Sequence, residues 1–224
     1  MTEPPRNRRT ERTRAALLAA GRQLFSERPA DAVTVDDIVQ AAKVGKGSFY
    51  NHFPDRDALL RVISGEIRAK VEHAVARANA DVADPARRVA RAMCVYLRCA
   101  VDDPERASVL ARIQSGATSL TAPLNSGLVD DIAKGLAAAR FCVATLETGV
   151  LYVLGVTQIA LLRVLEEPKT GIAVALAQQM CALVLRGLGV EAAAADLIAA
   201  QASDEIVRQG AHAEMFHEKS GAAH

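Results

Sequence analysis

The stretch from Thr34 to Leu60 constrains the fold of this chain more than any other part of its sequence. It reads TVDDIVQAAKVGKGSFYNHFPDRDALL and begins with a Thr-x-x-Asp arrangement that can cap a helix. The turn Lys43-Val44-Gly45 follows, and then a second short segment that must end at Pro54, because proline cannot continue a helix. Two short helices joined by a tight turn are the pattern of a helix-turn-helix.

A further helix is predicted in front of this pattern, between an N-cap at Thr10 and a stop at Pro29. Its apolar residues recur at helical intervals: Leu17, Leu18, Leu24 and Phe25. Phe49 and Phe53 lie four residues apart, so both should face the core of a three-helix unit. The rest of that helix then points outward or to the flanks, and this exposed set consists of Gly47, Ser48, Tyr50 and Asn51.

These residues closely resemble the DNA-binding domain of the tetracycline-repressor (TetR) family over about residues 10–60. The resemblance is carried by Thr34–Val39, Lys46–Phe53 and Asp57–Leu60, together with Ala41-Ala42 and Val44. It implies a dimeric transcriptional regulator, usually a repressor, whose C-terminal domain binds a small molecule and thereby releases operator DNA. The chain departs from the family in its turn, where Lys43 replaces the common glycine and Gly45 the common serine. We therefore expect Gly45 to supply the backbone freedom that lysine lacks.

The chemistry of DNA binding assigns roles to individual residues of this unit. A helix N-terminus at Thr34 offers N–H groups to a phosphate, and the resemblance places Arg56 where the family often has a phosphate-binding lysine. The first fourteen residues contain five arginines, so this basic arm could follow the DNA backbone or enter the minor groove. Phosphate contacts are predicted for Arg9, Thr34, Lys46, Tyr50, His52 and Arg56, close approach to the bases for Gly47, and base contacts for Ser48, Tyr50 and Asn51.

The remainder of the chain is predicted to be helical, so the fold class is all-α. A long helix should run from Arg56 to Val82, and Asp84-Pro85 and Asp103-Pro104 each read as an N-cap followed by a helical proline. Segments 145–166 and 171–187 are apolar on nearly all sides and should form a four-helix interface with a second copy. The domains expected are a flexible arm (1–9), the DNA-binding unit (10–56), a ligand-binding and dimerisation domain (57–209) and a disordered tail (210–224).

A ligand of such a domain would lie in an apolar cavity between helices. The candidate lining residues are Met93, Tyr96, Leu97, Leu110, Ile113, Gln114, Phe141, Tyr152 and Gln158. Their scarcity of charge predicts a small apolar effector. Cys94 and Cys99 share a helix and leave a redox role open, although buried inert thiols fit their sequence context better.

Other functional classes find little support in the sequence. The histidines form no pair with metal-ligand spacing, and no nucleophile has a recognisable base partner, so we expect neither a metal, nor a cofactor, nor enzyme activity. The longest apolar run, Gly149–Leu162, is too short for a membrane span, and a cytoplasmic protein is expected. Two alternatives stay open: a helical interaction protein without DNA binding, and an enzyme or small-molecule carrier that works through the C-terminal pocket.

Overall fold

A computed structural model describes residues 5–112, 118–122 and 125–210, and the regular structure in these ranges is helical throughout. Ten α-helices occur in them: α1 Pro5–Glu27, α2 Val35–Ala42, α3 Lys46–Tyr50, α4 Arg56–Ala78, α5 Pro85–Asp102, α6 Pro104–Arg112, α7 Ser126–Ala137, α8 Leu146–Glu166, α9 Thr170–Gly187 and α10 Ala192–Ala202. A short 3-10 turn, Ala30–Ala32, precedes α2, and a π-helical segment, Ser203–Arg208, follows α10. The all-α prediction is confirmed.

The helix starts lie where the capping residues of the sequence put them. The Thr34 hydroxyl accepts from the N–H of Asp37, whose carboxylate accepts from the N–H of Thr34, so the predicted capping box is complete. Asp55 caps α4 and Asp84 caps α5, in each case through a carboxylate oxygen that accepts a backbone N–H. These side chains satisfy N–H groups that a helix end leaves without an internal partner.

Two hydrophobic cores organise the helices. The first lies among α1–α4 and includes Leu17, Ile38 and Phe49, each fully buried. The second and larger core joins α4 to α10 and the π-helical segment. Val109 of α6 is buried in the first core, while the next residue, Leu110, packs against both. Helix α6 is therefore a direct physical connection between the two halves of the chain.

Some predicted boundaries differ from the observed ones. Helix α1 begins at Pro5 and not at Thr10, so residues 5–9 are helical and not an irregular arm. Helix α4 ends at Ala78, four residues before Val82. Residues 1–4 of the expected arm and 211–224 of the expected tail lie outside the described residues.

The expectation for the turn between α2 and α3 is wrong. Lys43 itself adopts the left-handed conformation, with φ +55° and ψ 42°, and its N–H closes the end of α2 on the carbonyls of Val39 and Gln40. Gly45 has φ −75° and ψ 150°, an extended conformation open to any residue, and serves as the N-cap of α3. A helix that ends in this way has a left-handed residue at its first non-helical position. Because α2 ends at Ala42, that residue is Lys43 and not Gly45.

The long apolar helices α8 and α9 pack against each other and against the larger core. By length and composition alone both could cross a membrane, since α8 has 21 residues and α9 has 18. The apolar run Gly149–Leu162 therefore underestimated the length of the apolar helix that contains it, α8. Core helices have the same composition, however, and each of these two helices contributes several fully buried side chains to the core.

Candidate DNA-binding surface and ligand cavity

Helix α3 divides its residues between the core and an open surface. Phe49 is fully buried, whereas the neighbouring Tyr50 is 52% exposed and meets the Phe49 ring edge to face, with 5.4 Å between centroids. Lys46, Gly47 and Asn51 are exposed on the same short helix. The α3 surface, as we call the set Lys46, Gly47, Ser48, Tyr50, Asn51 and His52, is therefore presented outward as the sequence predicts, with Ser48 and His52 half-buried at its flanks.

The cation of this surface is paired within the protein. The Lys46 ammonium lies 2.8 Å from a carboxylate oxygen of Asp36 in the first turn of α2. This hydrogen bond, with the charge of Asp36, raises the pKa of Lys46, so the ammonium stays charged. Both side chains are more than half exposed, and an exposed ion pair of this kind is weak. A DNA phosphate could therefore take the place of Asp36.

Thr34 is bound to its own helix. Its hydroxyl donates to a carboxylate oxygen of Asp37 at 2.6 Å and accepts the Asp37 N–H at 3.1 Å. Hydrogen bonds from Thr34 lower the pKa of Asp37 below its usual value. Because Asp36 and Asp37 place two carboxylates in the first turn of α2, this helix end is less attractive to a phosphate than the sequence motif alone implies.

Arg56 also has partners inside the DNA-binding unit. One guanidinium nitrogen donates to the carbonyls of Ala30 at 2.8 Å and Val33 at 3.2 Å, and the other N–H groups meet the carboxylate of Asp57. The side chain is 28% exposed. Arg56 therefore joins the start of α4 to the segment that leads into α2, a role that sequence reasoning missed.

The basic residues of α1 lie beside this unit. Arg8, Arg9 and Arg12 are exposed, and the Arg14 guanidinium lies 5.6 Å from the centre of the Phe53 ring. That cation–π contact joins α1 to the end of the helix-turn-helix. Arg9 is thus held on helix α1, and not on an irregular arm.

A cavity of about 600 Å³ lies between α4, α5, α7 and α8, with Leu110 of α6 in its wall. Four of the nine predicted residues line it: Met93, Tyr96, Leu110 and Gln158. Leu97 and Phe141 instead belong to the buried core, and Phe141 packs on Gly135 of α7. The Tyr152 hydroxyl donates to the Leu183 carbonyl on α9, so Tyr152 lies outside the cavity. Ile113 and Gln114 lie outside the described residues.

The cavity wall carries four charged residues that the sequence prediction omitted: Arg68, Glu72, Arg88 and Asp131. Arg88 donates from Nε to a carboxylate oxygen of Asp131 at 2.5 Å. The Tyr96 hydroxyl donates to Oε1 of Glu72 at 2.9 Å. Burial raises the pKa of both Glu72 and Asp131 against the opposing effect of these hydrogen bonds.

The cavity is connected to α6 by two residues. Leu110 of α6 forms part of the wall, and Gln158 of α8 donates from its side-chain amide to the Ala111 carbonyl at 2.8 Å. A molecule in the cavity therefore contacts the helix that also enters the core of the DNA-binding unit.

Cys94 and Cys99 are both buried, as their sequence context favoured. Cys94 lies beside Cys181 of α9 with 3.9 Å between the sulfur atoms, and all four cysteines of the chain are free. Burial raises the pKa of Cys99 to about 12, and the pKa of Cys94 is raised by its contact with Cys181 and by burial. Such thiols are poor nucleophiles. Within the described ranges no group of three metal-ligating side chains is present.

These features define a helical regulator of the helix-turn-helix class, with a separate cavity-bearing domain. Residues 17–63 match the family described as bacterial regulatory proteins, tetR family, and residues 84–201 match the tetracyclin repressor-like C-terminal domain. The second match alone covers more than half of the chain. The chain therefore belongs to the tetR family, a family of regulatory proteins and not of enzymes, as its resemblance implied.

Two curated relatives agree with this assignment. The HTH-type transcriptional regulator HbdR of Aromatoleum sp. (strain CIB) is 32% identical over 102 residues, which are 45% of this chain and 44% of HbdR. EthR of Mycobacterium tuberculosis (strain ATCC 25618 / H37Rv) is 30% identical over 88 residues, 37% of this chain and 41% of EthR. The chain spans half or less of the length of the curated relatives it matches.

Solved structures extend the similarity to nearly the whole chain. RolR in complex with resorcinol is 27% identical, with a TM-score of 0.57, over 87% of this chain and 96% of RolR. A tetR-family regulator from Shewanella sp. PV-4 has a TM-score of 0.69 at 16% identity, over 79% of this chain and 97% of that one. The second comparison shows the shared fold only.

Proposed function

We propose that the protein is a ligand-responsive transcriptional repressor that binds palindromic double-stranded DNA as a homodimer and releases it when a small effector fills the cavity. The observation that carries this proposal is the α3 surface. Phe49 of this helix is buried in the core, while Lys46, Tyr50 and Asn51 are exposed at its surface, where the contact of Lys46 with Asp36 is a weak, exposed ion pair. A surface of this chemistry fits the major groove.

On DNA, the proposed contacts divide into anchors and readers. Lys46 would exchange Asp36 for a phosphate, and Arg9 on α1 would lie along the backbone of the duplex. Ser48, Tyr50 and Asn51 would meet base edges, and Gly47 leaves room for the approach, because a Cβ added there would meet nothing within 4 Å. Arg56 would hold α2 and α4 together so that α3 keeps its position.

A second copy of the chain would bring two α3 surfaces to one duplex. Helices α8 and α9 expose large apolar side chains, with Ile159 at 62%, Leu183 at 52% and Leu162 at 42%. The same helices of a second copy would cover them in a four-helix interface. A twofold dimer would place the two reading helices about 34 Å apart, one turn of DNA, and so requires a palindromic site.

The dimer proposal is tested by the mass of the protein in solution. Ile159→Asp places a charge in the proposed interface and should yield monomers, whereas Ile159→Val keeps the surface apolar and should yield dimers. Light scattering after size-exclusion chromatography distinguishes the two. A dimer formed by Ile159→Asp at the same concentration as the parent chain would place the interface elsewhere.

An effector in the cavity would act on the DNA-binding unit through α6. It would contact Leu110 directly and could displace the Gln158 amide from the Ala111 carbonyl, which shifts α6 and with it Val109 in the first core. The complex of RolR with resorcinol supports a small, ring-sized effector for a cavity of this fold. The required coupling, about 1–3 kcal/mol, is within the range of known allosteric systems.

The DNA-binding proposal is tested with one pair of variants. Lys46→Ala combined with Tyr50→Ala should abolish binding to a duplex selected from a random pool. Lys134→Ala removes an exposed lysine of α7, outside the helix-turn-helix, and should leave binding unchanged. Equal affinity of the double variant and the parent chain would contradict the proposal.

A further inference from the structure

Glu72 lines the cavity with a carboxylate of which one oxygen is hydrogen-bonded. Its Oε1 accepts the Tyr96 hydroxyl at 2.9 Å, whereas the structure gives Oε2 no hydrogen-bond donor among the described residues. Oε2 faces the first turn of α7, where it lies 4.0 Å from the position of a Cβ added to Gly127. The glycine thus leaves space beside the carboxylate, and this space is part of the cavity.

Burial makes the hydrogen bonding of this carboxylate energetically significant. It raises the pKa of Glu72 although the bond from Tyr96 lowers it, so the single bond does not replace the water that a free carboxylate would bind. The Tyr96 hydroxyl stays protonated, because burial and the nearby Glu72 raise its pKa. A second donor at Oε2 would complete the set of bonds, since a buried polar group without its partners is unfavourable.

The charges around the cavity decide what kind of donor fits. Two arginines, Arg68 and Arg88, and two acids, Glu72 and Asp131, line it, so their formal charges cancel. Arg88 is already bound to Asp131. A charged effector of either sign would leave one charge uncompensated within a largely apolar wall that includes Val89, Met93 and Leu161. A neutral donor, such as a hydroxyl group, avoids that penalty.

We propose that Glu72 is the recognition residue of the cavity and that it selects neutral, mostly apolar molecules bearing a hydroxyl group, which donates to Oε2. This inference rests on the proposed function, because it names the chemistry of the effector that the regulator senses. Tyr96 is the positioning residue, since its bond to Oε1 fixes the carboxylate and turns Oε2 toward the cavity.

Matched pairs of ligands test the proposal. Phenol and anisole, and resorcinol and 1,3-dimethoxybenzene, are similar in shape, but only the first member of each pair has O–H donors. Binding to the full chain is measured by calorimetry for the parent chain, Glu72→Gln, Glu72→Leu and a control, Glu66→Leu, which changes an exposed glutamate of α4 outside the cavity.

Binding of the hydroxyl compounds, with the ethers weaker by about 10-fold or more, is expected for the parent chain and the control, since a hydrogen bond to a charged group is at stake. Glu72→Leu should lose this preference, and Glu72→Gln should keep part of it, because its amide oxygen still accepts. The proposal is overturned by ethers that bind as well as the hydroxyl compounds, by unchanged preference in Glu72→Leu, or by no binding of either hydroxyl compound.

Release of DNA is measured separately with the same compounds, so that the two proposals can fail independently. A hydroxyl compound that binds through Glu72 without releasing DNA would contradict the proposed repressor and leave the recognition role intact. Release of DNA by a compound that binds equally to the parent chain and to Glu72→Leu would support the proposed repressor and contradict the recognition role of Glu72.

Discussion

Replacing Arg56 by alanine separates a role in holding the fold from a role in binding phosphate. In the structure the guanidinium donates to the carbonyls of Ala30 and Val33 and pairs with Asp57. A hydrogen bond to a charged group contributes about 1.5–3 kcal/mol when buried, and we discount this to about 1 kcal/mol for each bond because the side chain is 28% exposed. The exposed ion pair adds little.

The variant should therefore lose about 2 kcal/mol of unfolding free energy. For a protein of this size, 1 kcal/mol corresponds to about 2–4 °C in Tm, so the expected decrease is about 4–8 °C. Arg56→Lys keeps the charge but cannot bridge two carbonyls with a planar group, and it should lose most of the same stability. Thermal unfolding followed by circular dichroism measures both variants.

The salt dependence of DNA binding gives the second half of the test. If Arg56 only holds α2 and α4 together, the slope of log affinity against log salt should be the same for the parent chain and both variants. The reasoning would be refuted if the slope of Arg56→Ala were smaller by about one, the slope of Arg56→Lys equalled that of the parent chain, and neither variant had a changed Tm. That result would show that Arg56 binds a phosphate.

Three further changes have defined outcomes. Lys43→Gly should raise Tm by about 2–4 °C. It removes the cost of about 1–2 kcal/mol that lysine has in a left-handed conformation, and the greater entropy of the unfolded chain with glycine offsets part of this gain; a lower Tm would contradict the assigned φ. Gly135→Ala should lose about 1–3 kcal/mol in urea unfolding, since its Cβ would lie 2.0 Å from the Phe141 ring, and an unchanged value would mean that the ring lies elsewhere. Glu72→Gln should be more stable than the parent chain at pH 7. Because burial raises the pKa of Glu72 in the folded state, the parent chain loses unfolding free energy as pH rises above the ordinary pKa of 4.5, whereas glutamine does not titrate. The difference should vanish in melts below about pH 4, and a difference independent of pH would exclude titration of Glu72 as its source.

The fold could be predicted in detail because its signals are local. Thr34, Asp55 and Asp84 mark helix starts through bonds to residues two or three positions away, and the spacing of Phe49 and Phe53 selects the buried side of its segment. Such information lies within one helical turn. The location of α3 and the exposure of Lys46, Tyr50 and Asn51 follow from it.

The parts that sequence reasoning missed depend on distant partners. Arg56 donates to carbonyls more than twenty positions earlier in the chain, and Cys94 lies beside Cys181, 87 positions later. Glu72 lies beside the cavity opposite Tyr96 on α5 and Gly127 on α7, two residues far from it in sequence. Helical periodicity does not show which element packs across from a residue, so it could not place Glu72 beside a cavity.

The most direct test of the account is DNA binding by the full chain over a series of salt concentrations. Duplexes are first selected from a random pool, and the enriched duplex is then titrated with the parent chain and with Lys46→Ala combined with Tyr50→Ala. The account predicts a palindromic site, an affinity that falls steeply with salt, and loss of binding in the double variant. Failure to enrich any duplex, or equal binding by the double variant, would contradict the claim that α3 reads DNA.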